Sequence, residues 1–62
     1  MTIEQVKPNL LRKVKWRGDV YILTEYVYWA DPVERAAHHS VTLRSVETNT
    51  VVRARLSEVE EI

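Results

Sequence analysis

The stretch VYILTEYVYW, Val20 to Trp29, decides how this chain folds. It is rich in β-branched and aromatic residues, which suit the pleated surface of a β-strand. Side chains alternate between the two faces of a strand, so one face carries Val20, Ile22, Thr24, Tyr26 and Tyr28, and the other carries Tyr21, Leu23, Glu25, Val27 and Trp29. Neither set is polar, and both faces of this strand therefore require cover.

Two arrangements supply cover for both faces. In a small barrel, one long strand bends across a β-bulge, and its inward face changes partway along its length. Thr24 and Glu25, the polar pair in the middle of the stretch, predict the position of such a change. In the other arrangement, one face covers the core and the other contacts a second copy or another protein. The sequence leaves both arrangements open.

Alternating apolar residues predict three further strands. The first begins at Leu10, with Val14 and Trp16 on one side and the basic residues Lys13, Lys15 and Arg17 facing water on the other. The third runs from His39 to Val46, with Val41 and Leu43 on one side and Thr42 and Arg44 on the other. The fourth runs from Thr50 to Leu56, with Val52, Ala54 and Leu56 inward and Val51, Arg53 and Arg55 outward.

The connections between these strands carry turn signals. Gly18, the only glycine, predicts a tight turn after the first strand, and Asn49 is the residue best suited to a left-handed conformation in the ETNT hairpin. In ADPVERAAHH, Asp31 followed by Pro32 predicts one short helical turn or an irregular loop. The spacing of Ser57 and Glu60 predicts a capped helical turn before a final segment that carries Val59 and Ile62.

Length and composition describe a single small domain, residues 1–62, without a disulfide, because the chain contains no cysteine. No signal-peptide pattern and no apolar run of about 18 residues is present, so we expect a cytoplasmic protein that does not enter a membrane. Nine basic residues balance nine acidic ones. This neutral total lacks the basic excess that is typical of a dedicated nucleic-acid binder.

Charge is unevenly distributed along the chain. Basic residues are concentrated between Lys7 and Arg17, whereas Ser57 to Ile62 carries three glutamates and no basic residue. If these two segments lie side by side, they neutralise each other on one solvated surface, with little gain in stability for each exposed pair.

Several short strands joined by tight turns predict an all-β fold, a small antiparallel barrel or rolled sheet of four to five strands with one short helical turn. The segments VKPNLLRKVKWRGDVYILTEY and HSVTLRSVETNTVVRARLSEVEEI resemble an SH3-like small β-barrel, of the kind seen in short bacterial and phage proteins. The chain lacks the acidic and aromatic cluster of proline-binding SH3 domains and the glycine pattern of KOW modules. The resemblance therefore implies a fold and transfers no binding residue.

Three motifs suggest chemistry that their context does not favour. Arg17–Asp19 spells RGD, but a turn around Gly18 accounts for it in a chain without a secretion signal. His38 and His39 have the atoms of a metal site, yet strand neighbours point to opposite faces and no cysteine completes a ligand set. For the same reason, the side chains of His39 and Ser40 point to opposite faces and do not form a base–nucleophile pair. We therefore predict no enzymatic activity, no metal and no cofactor.

The aromatic residues are the most informative functional feature. Trp16 and Tyr21 are expected in the core, whereas we predict a binding surface made of Tyr26, Tyr28, Trp29, Arg44, Arg53 and Arg55. Aromatic rings and arginine supply rigid contact area at the centre of protein interfaces. They also stack on bases and hold phosphates in single-stranded nucleic-acid binders. Neutral net charge favours protein binding over nucleic-acid binding. We therefore predict a protein-binding module that acts as an inhibitor, adaptor or subunit and self-associates. Single-stranded nucleic-acid binding is the alternative.

Overall fold

The computed structural model describes all of residues 1–62 and consists mainly of β-strands. The strands are β1 (Lys13–Trp16), β2 (Asp19–Asp31), β3 (Ala36–Ser45), β4 (Val51–Arg55) and β5 (Val59–Glu61). They form one antiparallel sheet in the order β4-β3-β2-β1-β5. One short helix, α1 (Ile3–Asn9), precedes β1, and a single 3₁₀ turn (Leu56–Glu58) joins β4 to β5. The predicted all-β class is confirmed.

The core lies on one side of this sheet, which we call the inner face; the opposite side is the outer face. Eight residues are buried, and they form one cluster: Val6, Val14, Leu23, Val41, Leu43, Ala54, Leu56 and Val59. Trp16 and Tyr21 pack beside this cluster, with their rings edge to face and their centroids 5.5 Å apart. Both rings therefore contribute to the core, as predicted.

A β-bulge in the middle of β2 explains how its apolar residues are shared between the two faces. Leu23 pairs with Leu43 and Glu25 pairs with Thr42, so that Thr24 has no cross-strand partner. The Thr24 hydroxyl instead donates a hydrogen bond to the Thr42 carbonyl at 3.0 Å. The extra residue moves the inner face from odd to even positions. The predicted change of face at Thr24 and Glu25 is thus confirmed.

The two turns predicted from single residues are also confirmed. Arg17 and Gly18 both have positive φ, 51° and 82°, which is the geometry of a two-residue type I′ hairpin turn between β1 and β2. The RGD tripeptide is therefore part of this turn, and the Arg17 guanidinium lies over the Trp16 ring at 4.5 Å. Asn49 adopts the expected left-handed conformation, with φ of 61°.

The loop between β2 and β3 is shorter than ADPVERAAHH suggests, because only residues 32–35 lie outside the strands. Asp31 caps this loop, as expected: its Oδ1 atom accepts hydrogen bonds from the amides of Val33 and Glu34. The amide of Arg35 donates to the Asp31 carbonyl at 2.7 Å, which closes one helical turn. Arg35 then takes a positive φ of 56°, and β3 begins at the next residue, Ala36.

The predicted start of the first strand at Leu10 is wrong. Residues Ile3–Asn9 form α1, and Leu10 ends that helix instead of starting a strand. Gln5 caps this helix by accepting a hydrogen bond from the Thr2 amide at 2.8 Å, and Val6 enters the core. Leu11 then has a φ of 63°, which interrupts the alternation and delays the start of β1 to Lys13. Leu10 and Leu11 are both exposed.

The predicted capping pair near the C-terminus, Ser57 with Glu60, is also wrong. The capping pair lies two residues earlier, since the 3₁₀ turn begins at Leu56 and the Arg55 amide donates to the Glu58 carboxylate at 3.3 Å. Val59 is fully buried as the first residue of β5, whereas Ile62 is 74% exposed. The turn itself was predicted correctly and its register was not.

The basic and acidic ends of the chain lie side by side, because β1 pairs with β5 and places Lys15 directly opposite Glu60. Glu61 also fixes α1, since its carboxylate accepts hydrogen bonds from the side chains of Gln5 and Asn9. With only seven residues, α1 falls far short of the roughly 20 apolar residues of a membrane-spanning helix.

Candidate functional site

The far end of the β2–β3 hairpin extends beyond the rest of the sheet. Strand β1 pairs with β2 only as far as Ile22, and β4 pairs with β3 only from Ser40 onward. Residues 28–39, which we call the arm, therefore form a two-stranded hairpin with no neighbouring strand on either edge. Thirteen residues of strand span about 40 Å. The hairpin thus accounts for the longest dimension of the molecule, 39 Å.

Aromatic and imidazole rings pair across the strands of the arm. On the outer face, Trp29 stacks on His38 with ring centroids 4.1 Å apart and an interplanar angle of 18°. On the inner face, Tyr28 lies opposite His39 with ring centroids 5.1 Å apart. These pairs leave Tyr28 57% and Trp29 50% exposed. The arm therefore presents a large ring to solvent on each of its two faces.

Tyr26 anchors the base of the arm. Its hydroxyl lies 2.6 Å from Nδ1 of His39, and its half-buried ring packs against the core. The inner face of the sheet thus continues without interruption from buried Val41 through Tyr26 and His39 to Tyr28. This continuity fixes the direction of Tyr28, although more than half of its surface remains exposed.

The six residues of the predicted surface do not lie together. Tyr26 and Tyr28 are on the inner face, whereas Trp29 shares the outer face with the three exposed arginines Arg44, Arg53 and Arg55. The bulge at Thr24 causes this separation, because it assigns even and odd positions of the arm to opposite faces. The structure therefore divides the predicted surface into a tyrosine part and a tryptophan–arginine part.

A cleft of about 530 Å³ lies where the arm leaves the sheet. It is bounded by the N-terminus, by β3 and by the chain just after β4, and its lining residues are Met1, Thr2, Ile3, Trp29, Ala37, His38, His39, Ser40, Arg55, Leu56 and Ser57. Of these, only Trp29 and Arg55 belong to the predicted surface. The N-terminal residues carried no sequence signal for this position, because nothing in their pattern predicted α1 or the contact of Met1 with the 3₁₀ turn.

The two histidines of the arm do not combine with each other or with the neighbouring Ser40 into a shared site. His39 bonds to Tyr26 on the inner face, whereas Ser40 follows it on the outer face, so their side chains diverge. His38 points to the face opposite His39. No group of three or more histidine, aspartate or glutamate side chains is placed to share a metal ion.

Comparison with protein-family models, with curated proteins and with solved structures found no match for this chain. Its function is therefore inferred from the geometry and chemistry of its own residues.

Proposed function

We propose that this protein is a small non-enzymatic binding module that recognises protein, either a partner or a second copy of itself, through its arm. The observation that carries this proposal is the exposure of Tyr28 and Trp29 on a two-stranded extension. Aromatic residues of this kind are enriched among the few residues at the centres of protein interfaces whose truncation costs about 2 kcal/mol or more of binding energy.

The backbone of the arm supports the same proposal. A single two-stranded hairpin is at best marginally stable in water, and an unpaired strand edge is a template for pairing with another chain. Both edges of the arm are unpaired between Tyr28 and His39. A partner that covers the arm would therefore bury its rings and complete its backbone hydrogen bonds in one step.

The fold that carries the arm is, in our proposal, an SH3-like barrel. The sheet order β4-β3-β2-β1-β5, the long bulged β2 and the 3₁₀ turn before β5 are similar to that architecture. An SH3-like fold is compatible with many unrelated functions, so it explains how the arm is held and does not identify a ligand.

A second copy of the chain is the simplest protein to occupy the arm. The formal net charge is zero, so two copies meet without the overall repulsion that keeps highly charged proteins apart. An interface made by the same patch on both subunits is the commonest form of homodimer.

Sedimentation velocity over a range of concentrations tests this proposal. We expect the wild-type protein to self-associate, and Tyr28→Ala and Trp29→Ala to weaken that association at least tenfold. Val51→Ala is the matched control, because Val51 is 63% exposed and lies on β4, outside the arm. A wild-type protein that stays monomeric at every concentration contradicts self-association, and unfolding of Tyr28→Ala would assign that ring to the core.

One observation favours single-stranded nucleic acid as a second candidate ligand. Trp29 shares the outer face with Arg44, Arg53 and Arg55, which combines a stacking ring with groups that bind phosphate. Three phosphate contacts predict that affinity for oligothymidine falls roughly 20-fold between 50 and 200 mM salt. Measuring that affinity at both salt concentrations tests this candidate, and binding that ignores salt excludes it.

A further inference from the structure

The cleft beside the arm runs along the edge of β3. Four consecutive residues, Ala37 to Ser40, line it. Because consecutive strand residues point to opposite faces, a cleft that touches all four must follow the strand edge rather than either face. At this edge β4 has already ended, since its last pair with β3 joins Arg55 to Ser40. The cleft therefore occupies the position that a longer β4 would fill.

The charges around the cleft have one sign. Its eleven lining residues include the Arg55 guanidinium, the N-terminal ammonium group and two histidines, and no carboxylate. The ammonium group donates hydrogen bonds to the carbonyls of Leu56 and Val59 and is thereby fixed in place. An anionic group in this cleft would meet the Arg55 guanidinium and no carboxylate, and the exposed Arg55 is able to bind a carboxylate through two parallel hydrogen bonds.

The remaining lining combines an apolar surface with one unused polar atom. Met1, Ile3 and Leu56 supply aliphatic surface, and Ile3 is 53% exposed. His38 Nε2 is covered from solvent and has no hydrogen-bond partner. Because this atom has no accessible surface, the polar contacts open to a ligand are those of Arg55 and of the strand edge.

We propose that the cleft binds an extended acidic peptide segment of a partner protein, which adds to the open edge of β3 at residues 36–39 and places a carboxylate on Arg55. This inference rests on the proposed function, because it specifies the kind of protein that the module recognises. Peptides that add to a sheet edge gain affinity from main-chain hydrogen bonds and specificity from alternate side chains. Alternate side chains of this peptide would contact Trp29 and His38 on one face and the aliphatic lining on the other.

Two features favour a partner peptide over the other anionic occupants. Nucleic acid cannot complete the main-chain hydrogen bonds that the open edge of β3 offers. The acidic end of a second copy is already engaged, since residues Val59–Glu61 pair with β1 and Glu61 binds α1. A free extended segment of another protein has neither restriction.

Selection from a phage-displayed library of random linear dodecapeptides tests this inference. We expect the selected peptides to share an aspartate or glutamate within an alternating run of apolar residues. Synthetic copies should bind at least tenfold more weakly to Arg55→Gln and equally well to Arg12→Gln, which removes the same charge from an exposed residue outside the cleft. Selected peptides without an acidic residue, equal losses in both variants, or no enrichment over the Arg55→Gln protein would overturn the inference.

Hydrogen exchange separates strand addition from simple capture of a carboxylate. The bound peptide should slow exchange of main-chain amides within residues 36–39, and unchanged exchange there would contradict strand addition. Tyr28 does not line the cleft, so the Tyr28→Ala sedimentation experiment is independent of Arg55. If Tyr28→Ala loses self-association and the peptide selection fails, the proposed function still stands and only this inference is refuted.

Discussion

Leu23 and Leu43 form a cross-strand pair in the β2–β3 hairpin, and Tyr28 and His39 form another on the same inner face. The first pair is wholly buried, whereas Tyr28 is 57% exposed. Leucine is usually buried, and tyrosine and histidine are often partly buried, so residue type alone does not account for this difference. What differs is their surroundings. Strand β4 pairs with Leu43, and the backbone of Leu11 and Arg12, just before β1, bonds to Leu23, whereas the second pair lies beyond both neighbours.

Neighbouring strands therefore decide which part of an apolar hairpin becomes core. A residue at the proximal end of the hairpin, by which we mean the part that neighbouring strands flank, is covered from both sides and stabilises the fold through burial. A residue in the arm gains only its cross-strand partner, which contributes roughly 0.2–1 kcal/mol. The surface left uncovered in the arm is then available to another molecule. The following predictions test that division of roles.

The largest expected effect is at the proximal end. Leu43→Ala should lower the free energy of unfolding by about 2–5 kcal/mol, because Leu43 is fully buried and its truncation leaves a cavity. A domain of 62 residues has roughly 3–9 kcal/mol of total stability, so this loss is a large fraction of the total and the urea midpoint should fall steeply. Urea denaturation followed by circular dichroism measures the change. A loss below about 1 kcal/mol would mean that the proximal pair is not the centre of the core.

An intermediate effect is expected at the bulge that separates the two regions. Thr24→Val keeps the shape of the side chain and removes the hydrogen bond to the Thr42 carbonyl, so we expect a loss of about 1 kcal/mol. The same denaturation experiment measures it. Because the bulge sets the face of every later residue, Trp29 fluorescence should also change. A variant with wild-type stability would show that the hydroxyl does not hold the bulge.

The smallest effect on stability is expected in the arm. Tyr28→Ala should lower the free energy of unfolding by less than about 1 kcal/mol at concentrations where the protein is monomeric, because the exposed ring contributes one cross-strand pair. Denaturation of dilute protein measures this change. A loss as large as that of Leu43→Ala would remove the distinction between arm and core.

Much of this arrangement could be predicted from particular residues. The polar pair Thr24 and Glu25 predicted the change of face, because a bulge is the simplest way to keep a doubly apolar strand covered. Gly18 and Asn49 predicted their turns because few other residues tolerate a positive φ. Alternation in β3 and β4 assigned Val41, Leu43 and Ala54 to the core, where the structure places them.

Other features could not be predicted from the sequence, for physical reasons. Helix α1 is too short to show a periodic pattern, and Pro8 within it is a residue that normally indicates the end of a helix. The division of the predicted surface into two faces depends on the exact count of residues around the bulge, since one extra residue reverses every side chain beyond it. The cleft brings the N-terminus to the edge of β3, and such a long-range contact leaves no local pattern in the sequence.

Hydrogen exchange along the β2–β3 hairpin, measured in dilute and in concentrated protein, tests the central claim most directly. In dilute protein the amides of Leu23 and Leu43 should exchange only through global unfolding, while those of residues 28–39 should exchange much faster through local opening. In concentrated protein the residues of the arm should gain protection. Equal protection of both regions in dilute, monomeric protein would contradict the claim that the arm is uncovered and available for binding.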